Sequence, residues 1–354
     1  MNYMSKDYDL IFLTNLSSFY KINLYNEIAK KQKIFVIFMS GSSRYRDESF
    51  FKGEKNFEYT YLKEDLYESR SSLKNSFKLI KILSKIKYKK IAIGGWDSLE
   101  NWTAWLISKK EQNALVVESS EFESTNMGIK GAVKKFFVKR ISLCFVSGES
   151  QKNLLKNIGY RGKIIKTKGV GIFNYSKINK KIESLEKKIE IKKFLYVGRL
   201  SPEKNIDQII RVFNKFSRLE LNIVGYGPQE KELKKISNKN IKFYGKINNE
   251  KLSEIYQDNH VFVLPSKSEP WGLVVEEALY NGLPTILSDK VGCAKEIIEN
   301  GVEGLIYDVR SDEELEKAIL KIIELENYHN YKNNVQKINF DKIKQSQIEA
   351  YFKL

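Results

Sequence analysis

The stretch HVFVLPSKSEPWGLVVEEALYNGLP, residues 260–284, decides the fold of the chain around it. It begins with a short apolar run rich in β-branched residues, which is typical of a buried parallel strand. After the turn Glu269-Pro270-Trp271-Gly272, the segment Leu273 to Tyr280 has helical composition, and Asn281-Gly282 supplies the stop signal. The segment therefore predicts a strand, a tight loop and a helix in succession.

Two glutamates flank the start of this predicted helix, Glu269 in the loop and Glu277 on the helix. A helix entered through Gly272 presents unpaired backbone N–H groups and the positive end of its dipole, so its start suits a phosphate. The two carboxylates can accept hydrogen bonds from ligand hydroxyls. Taken alone, the same pattern also describes an ordinary solvated helix start, so the neighbouring segments must decide between the two interpretations.

A second ligand-binding signal lies upstream in FLYVGRLSPEKN, residues 194–205, which predicts a strand, a glycine turn and a helix that begins at the Ser-Pro pair. Arg199 and Lys204 follow the strand, where open α/β sheets bind their ligands. Two cations at this place can neutralise a diphosphate. The next segment, LNIVGYGP (residues 221–228), predicts another strand that ends in a glycine turn and leads into a helix.

These segments, with KFYGKI (residues 242–247) between them, resemble the donor half of glycosyltransferase family 4 over about Phe194 to Val309. The resemblance implies an α/β protein of the GT-B fold, with two Rossmann-like domains whose parallel sheets face a central cleft. It also implies retaining transfer of a hexose from a nucleoside diphosphate sugar to a saccharide acceptor, with a UDP-sugar favoured. By the same resemblance the leaving phosphate helps to deprotonate the acceptor, and neither a metal nor another cofactor is needed.

The resemblance also assigns roles position by position. It implies that Arg199 and Lys204 hold the donor diphosphate, that Glu277 binds the ribose hydroxyls, and that Glu269 binds hydroxyls of the transferred sugar. Glu269, Arg199 and Lys204 are thus the expected catalytic groups. The other expected donor-site positions are Gly198, Gly225, Lys246, Ile247, Pro270, Trp271, Gly272, Leu273 and Val274.

The first half of the chain resembles the family only in scattered pieces, so its site residues are predicted from their place after strand-like runs. Many family members carry a histidine here that touches the donor sugar, and this chain has none. Glu121 is the favoured substitute, and a helix N-cap is the alternative for it. The full set of acceptor-side candidates, for which ordinary turns and caps are the alternative, is Asn15, Ser17, Ser18, Tyr20, Lys21, Trp96, Asp97, Glu118 and Glu121.

The chain has 354 residues and 42% hydrophobic composition, which is enough material for two cores. We expect an acceptor-binding Rossmann-like domain over residues 1–172 and a lysine-rich linker over 173–193. The donor-binding domain should cover residues 194–335. A closing helix within 336–354 is expected to cross back to the first domain, as it often does in GT-B enzymes.

The residues offer little support for a metal site or for oxidised cysteines. Asp7-Tyr8-Asp9 is the only Asp-x-Asp match, and it is expected to precede the first strand, where chance explains it best. His260 and His329 have no ligand cluster around them. The two cysteines, Cys144 and Cys293, form no C-x-x-C pattern, which favours a reduced cytoplasmic setting. The N-terminal residues lack the apolar core of a signal peptide.

Charge provides a separate indication, because 61 Lys and Arg against 44 Asp and Glu give a formal net charge of +17. Two basic amphipathic helices are predicted near residues 73–90 and 130–141. Such helices favour an anionic membrane surface, which would bring a lipid-linked saccharide acceptor to the enzyme on the inner face of the membrane. General Lys enrichment is the alternative explanation. Nucleic acid is disfavoured because no binding module accompanies the charge.

Two other classes of function stay open at this point. The chain could be a catalytically silent glycosyltransferase-like binding partner, although such a protein would have no reason to keep Arg199, Lys204, Glu269 and Glu277 together. A GT-B sugar-nucleotide epimerase is the enzymatic alternative, although the catalytic histidines typical of those enzymes are missing. A dehydrogenase is the weakest option, since the G-x-G-x-x-G fingerprint is absent.

Overall fold

The computed structural model describes residues 6–124, 126–174 and 190–354. The chain divides into two compact units, Met1–Asn174 with Asp341–Leu354 and Tyr175–Phe340. Most of the predicted linker, residues 175–189 of 173–193, lies outside the described residues. Within the described part of the chain, no helix is long and apolar enough to cross a membrane.

The first unit is built on a seven-stranded sheet with the order β3-β2-β1-β4-β5-β6-β7, and its paired strands are parallel. Its elements in chain order are β1 (Asp7–Leu16), α1 (Phe19–Ala29), β2 (Ile34–Ser42), β3 (Glu58–Leu66), α2 (Ser72–Leu83), β4 (Lys87–Ile93), α3 (Leu99–Ile107), β5 (Asn113–Val117), α4 (Gly128–Val138), β6 (Leu143–Val146), α5 (Glu149–Asn157) and β7 (Lys163–Lys166). Short 3₁₀ helices cover Glu48–Phe51, Tyr67–Ser69 and Lys110–Gln112.

The two faces of this sheet are covered by different helices. One buried cluster joins side chains of β1, β4, β5 and β6 to the inner sides of α2, α3, α4 and α5, and it includes Cys144. Phe12 points to the opposite face, because successive side chains alternate along a strand. There its ring lies 4.4 Å from that of Tyr25 on α1 and 5.4 Å from that of Tyr351 near the C-terminus.

The second unit carries a six-stranded sheet with the order β10-β9-β8-β11-β12-β13, again parallel wherever strands pair. Its elements, followed by the last helix of the chain, are β8 (Lys193–Val197), α6 (Ile206–Phe213), β9 (Glu220–Val224), α7 (Glu230–Lys235), β10 (Ile241–Gly245), α8 (Asn249–Gln257), β11 (Val261–Leu264), α9 (Leu273–Tyr280), β12 (Thr285–Ser288), α10 (Ala294–Ile297), β13 (Gly304–Tyr307), α11 (Asp312–Ile323), α12 (Leu325–Gln336) and α13 (Phe340–Ala350). The predicted fold class, α/β with two Rossmann-like parallel sheets of the GT-B type, is confirmed.

Two local predictions were wrong. No single helix begins at the Ser-Pro pair, because Pro202–Lys204 forms one 3₁₀ turn and Asn205 then adopts a left-handed conformation (φ 54°) before α6 starts. Asp7 and Asp9 do not precede the first strand but lie within β1. Asp9 is bound there by the Lys89 ammonium at 2.7 Å and by the backbone N–H of Lys33 at 3.1 Å, so its carboxylate serves the structure of the sheet edge.

Candidate functional site

The strand, loop and helix predicted around Glu269 are present as β11, the loop Pro265–Gly272 and α9, whose bounds are those predicted. Gly272 is the residue before the helix and has a φ of 97°, a left-handed conformation that suits glycine. A Cβ at this position would lie 3.3 Å from Cγ of Glu269. The glycine therefore lets Glu269 pack directly against the start of α9.

The loop that carries Glu269 is held by the loop that follows β12. The N–H of Glu269 donates to the carbonyl of Lys290 at 3.2 Å, and the N–H of Gly292 donates to the carbonyl of Glu269 at 2.8 Å. A Cβ added at Gly292 would lie 1.9 Å from the carbonyl oxygen of Pro270, so only glycine fits there. These contacts fix the position of the carboxylate-bearing loop from its backbone.

Lys204 and Glu269 come from separate motifs, and the fold brings them together. The Lys204 ammonium lies 2.5 Å from Oε2 of Glu269, and each side chain is 15% exposed. They follow β8 and β11, which are neighbours in the sheet. Buried Asn205, next to Lys204, donates from its side-chain amide to the carbonyl of Pro265 at 3.1 Å, which ties the two loops to each other.

Arg199 is exposed and follows β8, as Lys204 does, and its backbone is fixed by a buried tyrosine. The hydroxyl of Tyr196 donates to the carbonyl of Arg199 at 2.9 Å. The loops after β8 and β9 approach each other closely at Gly198 and Gly225. A Cβ at Gly225 would lie 1.8 Å from the carbonyl oxygen of Gly198, so a side chain there would clash with it. The guanidinium is therefore free to reach a ligand from a backbone that is held in place.

Glu277 lies half-buried on α9 and accepts a hydrogen bond from the hydroxyl of Tyr256 at 3.2 Å. Burial raises the pKa of Glu277 to about 7, and the Tyr256 hydrogen bond offsets this only in part. Tyr256 belongs to α8 and is buried. No sequence pattern indicated Tyr256, because a tyrosine on the apolar face of a helix is an ordinary core residue.

Glu276, the neighbour of Glu277, is a second residue that sequence reasoning missed. It is buried and accepts a hydrogen bond from Nε1 of Trp271 at 2.6 Å. Burial raises the pKa of Glu276 to about 8, with a further contribution from Glu277 and an opposing one from Trp271. Trp271 is itself buried and lies in the Glu269 loop, so this hydrogen bond joins that loop to the first turn of α9.

The remaining donor-site candidates lie at the same sheet edge. Lys246 and Ile247 follow β10, and half-buried Leu273 and Val274 open α9. Since β10, β9, β8 and β11 are consecutive in the sheet, the candidate residues of the second unit line the carboxyl ends of four adjacent strands. This is the place where parallel α/β sheets bind ligands.

In the first unit, Lys21 and Glu118 form the main polar contact among the acceptor-side candidates. The Lys21 ammonium lies 2.7 Å from Oε1 of Glu118 and donates to Oγ1 of Thr14 at 3.1 Å. Burial alone would lower the pKa of Lys21, but Glu118 and nearby tyrosines raise it above its usual value. With Tyr25 and Tyr351, these groups line a small cavity of about 20 Å³ at the carboxyl ends of β1 and β5.

Two of the other acceptor-side candidates, Glu121 and Trp96, make different contacts. Glu121, the favoured substitute for the family's histidine, is turned toward α5, where its carboxylate accepts from Asn153 at 3.3 Å and its N–H donates to Oγ of Ser150 at 3.4 Å. Trp96 is buried beneath the Lys134 ammonium, 5.6 Å from the ring centroid. Of the rest, exposed Asn15 lies near the end of β1, buried Ser17 and Ser18 form the turn that follows it, half-buried Tyr20 lies in the first turn of α1, and exposed Asp97 follows β4.

Among the described residues, no group of three or more His, Cys, Asp or Glu side chains is arranged to hold a metal ion. His260 has a structural contact instead, since its Nδ1 accepts the backbone N–H groups of Lys192 and Lys193 at 3.1 and 3.2 Å.

Residues 177–338 match the family model described as glycosyl transferases group 1. Sulfoquinovosyl transferase SQD2 of Arabidopsis thaliana is 31% identical over 129 residues, which cover 36% of this chain and 25% of that protein. O-antigen biosynthesis glycosyltransferase WbnH of Escherichia coli is 29% identical over 208 residues, 58% of this chain and 57% of that protein. The chain matches between 25% and 44% of the length of the first four curated relatives.

Among solved structures, Anabaena Alr3699/HepE in complex with UDP has a TM-score of 0.73 at 16% identity, and the match covers 98% of this chain and 100% of that chain. At this identity the likeness shows the fold alone. The family model and the curated relatives show that the second unit is similar to glycosyl transferases group 1, and the solved structures show that the whole chain has the same fold.

Proposed function

We propose that the protein is a retaining glycosyltransferase of family 4 that moves a hexose from a nucleoside diphosphate sugar to a saccharide acceptor. The observation that carries the proposal is the Lys204–Glu269 pair at 2.5 Å, against the start of α9 and at the same sheet edge as Arg199, which follows β8. Cations, helix N–H groups and carboxylates converge at the edge of the sheet that binds ligands in open α/β folds. A diphosphate linked to a hydroxyl-rich sugar is the ligand whose chemistry fits all three.

The proposed chemistry follows from where charge develops. When the anomeric bond breaks, negative charge grows on the departing nucleoside diphosphate. Arg199 and Lys204 stabilise that charge, as do the N–H groups at the start of α9, and they stabilise it more than they stabilise the intact donor. Glu269 holds the transferred sugar through its hydroxyls. We propose that these groups act without a metal or another cofactor, and that the leaving phosphate accepts the acceptor's proton.

The finer assignments concern the two substrates. We propose a UDP-sugar as donor, which is supported by the UDP complex of HepE, a protein of the same fold. For the acceptor we propose a lipid-linked oligosaccharide of O-antigen or capsule synthesis, which is supported by the likeness to WbnH. The basic helices predicted near residues 73–90 and 130–141 are shorter in the structure, because Lys87–Ile93 forms β4 and α4 ends at Val138. Helices α2 and α4 support a place on the inner, anionic face of a bacterial cell membrane.

Calorimetric titration with UDP, GDP and ADP in the presence of EDTA tests the donor site. Wild-type protein should bind one of the three nucleotides, and Lys204→Ala should bind it about 10- to 100-fold more weakly, because a charge-assisted contact worth roughly 1.5–3 kcal/mol is lost. Lys321→Ala, which removes an exposed lysine of α11, is the matched control and should bind as the wild type does. The preferred nucleotide then names the panel of sugars for turnover assays.

Failure to bind any of the three nucleotides would favour the silent-partner alternative. Nucleotide binding without transfer to any saccharide, together with rearrangement of the free sugar nucleotide, would instead favour the epimerase. Addition of Mg²⁺ in place of EDTA provides a separate arm. Binding that appears only with the metal would contradict the metal-independent mechanism and leave the donor site in place.

A further inference from the structure

Helix α2 turns an apolar face to solvent. Its buried side consists of Asn75, Ser76, Leu79, Ile82 and Leu83, which pack on the sheet. The apolar residues between them are exposed: Leu73 by 65%, Phe77 by 72% and Ile80 by 40%. Burial in the core therefore does not explain why Leu73, Phe77 and Ile80 are apolar, because they lie on a different face of the helix from the residues that enter the core.

Helices α3 and α4 show the same arrangement. On α3, Leu106 is 63% exposed, and on α4, Ile129 is 84% and Phe136 54% exposed. Nine of the eighteen large exposed hydrophobic residues in the described chain lie on α2, α3 and α4. Isolated exposed hydrophobic residues are normal on a protein surface, but such a concentration marks an interaction site.

The three helices form one continuous layer. Their buried residues belong to a single core cluster on one face of the sheet, so their outer sides face the same direction. Asn75 of α2 donates to Oε1 of Glu100 on α3 at 3.2 Å. Trp105 of α3 lies 5.5 Å from Phe136 of α4, measured between ring centroids. The exposed apolar residues thus lie side by side on what we call the α2–α4 layer, residues 72–83, 99–107 and 128–138.

The charges on this layer have one sign. Neither α2 nor α4 contains an acidic residue, and Glu100, the one acid on α3, is buried against Arg70 at 3.1 Å. Lys134 on α4 is buried and does not contribute. The exposed lysines on α2 and α4 are Lys74, Lys78, Lys81, Lys130 and Lys135. Exposed lysines beside exposed apolar side chains are complementary to an anionic bilayer, where the apolar groups enter the headgroup region.

We propose that the α2–α4 layer inserts into an anionic lipid bilayer through Leu73, Phe77, Leu106, Ile129 and Phe136. This goes beyond electrostatic adsorption by basic helices, because helix α3, which carries no basic residue, takes part and apolar contact supplies the affinity. The biological purpose, access to a lipid-linked acceptor, rests on the proposed glycosyltransferase function. The insertion itself is independent of the donor site.

Co-sedimentation with vesicles of phosphatidylcholine and phosphatidylglycerol tests the proposal. Phe77→Ser with Phe136→Ser should lower the vesicle affinity by tenfold or more, and Leu106→Ser with Ile129→Ser should do the same. Leu320→Ser with Leu325→Ser, which removes exposed leucines of the second unit, is the matched control and should bind as the wild type does. In 0.5 M salt the Debye length is about 3–5 Å, so adsorption by charge alone should be lost. Salt does not screen apolar contacts, so wild-type binding should largely persist if the apolar side chains insert.

Three results would overturn the proposal: layer variants that bind as tightly as the control, wild-type binding that salt abolishes, or no binding of the wild type to vesicles. Self-association of the wild type that the Phe77 and Phe136 changes remove would also overturn it and would assign the layer to a second copy of the chain. Nucleotide titration of the same variants separates the two proposals. Absence of nucleotide binding in the wild type counts against the proposed function only. Urea unfolding followed by the fluorescence of Trp96, Trp102 and Trp105, which lie in the first unit, shows whether that unit is folded in the variants.

Discussion

Lys204 and Glu269 form an ion pair at 2.5 Å. The residue proposed to bind the phosphate and the residue proposed to bind the sugar are therefore in direct contact. The sequence indicated both residues from motifs 65 positions apart. It could not show the pairing, because that depends on β8 and β11 being neighbours in the sheet. Glu276 was missed for a related reason: nothing in the sequence distinguishes an exposed helix carboxyl from a buried one that accepts from a tryptophan.

Glu269→Ala and Glu277→Ala should separate turnover from nucleotide binding. Glu277 is assigned to the ribose, so its loss should weaken nucleotide affinity by about tenfold or more, the cost of a charge-assisted hydrogen bond. Glu269 is assigned to the transferred sugar, so its loss should lower kcat more than it changes nucleotide affinity. Calorimetry with the preferred nucleotide and steady-state kinetics with the full donor measure the two effects. Equal loss of nucleotide affinity in both variants would contradict this division.

Glu276→Gln should stabilise the protein above neutral pH. Burial raises the pKa of Glu276 to about 8 from 4.5, so the folded state keeps a proton that the unfolded chain releases. The stability of the wild type should therefore fall as pH rises from about 4.5 to about 8, by on the order of a few kcal/mol from this group. Glutamine removes the titration and keeps a carbonyl oxygen for Nε1 of Trp271.

Urea unfolding at pH 5 and pH 8 measures this effect. The free energy of unfolding should change less between the two pH values in Glu276→Gln than in the wild type. Glu326→Gln, at an exposed position on α12, is the control and should keep the wild-type dependence. If the free energy of unfolding changes with pH as much in Glu276→Gln as in the wild type, Glu276 is ionised in the folded protein at neutral pH.

At the scale of elements, the loops after β8, β11 and β12 pack together around Glu269, and glycines set how closely they approach. Gly292→Ala should disturb this packing, because the alanine Cβ would lie 1.9 Å from the carbonyl oxygen of Pro270 and the Glu269 loop would have to move. We expect at least a tenfold loss of kcat/KM, because small displacements of catalytic groups have large effects. Kinetics with the preferred donor measures it.

Gly301→Ala is the comparison for this change. Gly301 has a φ of 89° and no heavy atom within 4 Å of an added Cβ, so alanine there strains the backbone without displacing a neighbour. It should cost about 1 kcal/mol of stability and leave kcat/KM unchanged. If Gly292→Ala behaves in the same way, the contact between the two loops does not position Glu269.

Sequence patterns predicted α9 to the residue, because glycine and Asn-Gly signals bound a short helical segment. They did not predict the break at Asn205, where a left-handed residue interrupts an otherwise helical spacing. For α2, the spacing marked apolar and basic residues but not which side meets the sheet. Helical periodicity defines faces, and only the tertiary packing decides which of them is buried.

At the scale of the whole molecule, the first unit is discontinuous, since it takes in Asp341–Leu354 after the entire second unit. Tyr351 provides the main contact of this segment. Its ring lies 5.4 Å from Phe12 on β1 and 4.6 Å from Phe145 on β6, and the side chain is 5% exposed. The chain could not reveal this contact, because aromatic residues separated by two hundred positions and more carry no local pattern.

Tyr351→Ala in the full chain should therefore destabilise the first unit by about 3–5 kcal/mol, as expected when a large buried side chain leaves a cavity. Trp96, Trp102 and Trp105 lie in that unit, so tryptophan fluorescence during urea unfolding reports mainly on it. The donor-site residues all belong to the second unit, so the nucleotide affinity of the folded variant should stay at the wild-type value. Tyr45→Ala, at a position 68% exposed, is the control and should change neither quantity. A loss of nucleotide affinity in Tyr351→Ala would mean that the C-terminal segment supports the donor site as well, whereas unchanged unfolding would mean that the segment is dispensable for the first unit.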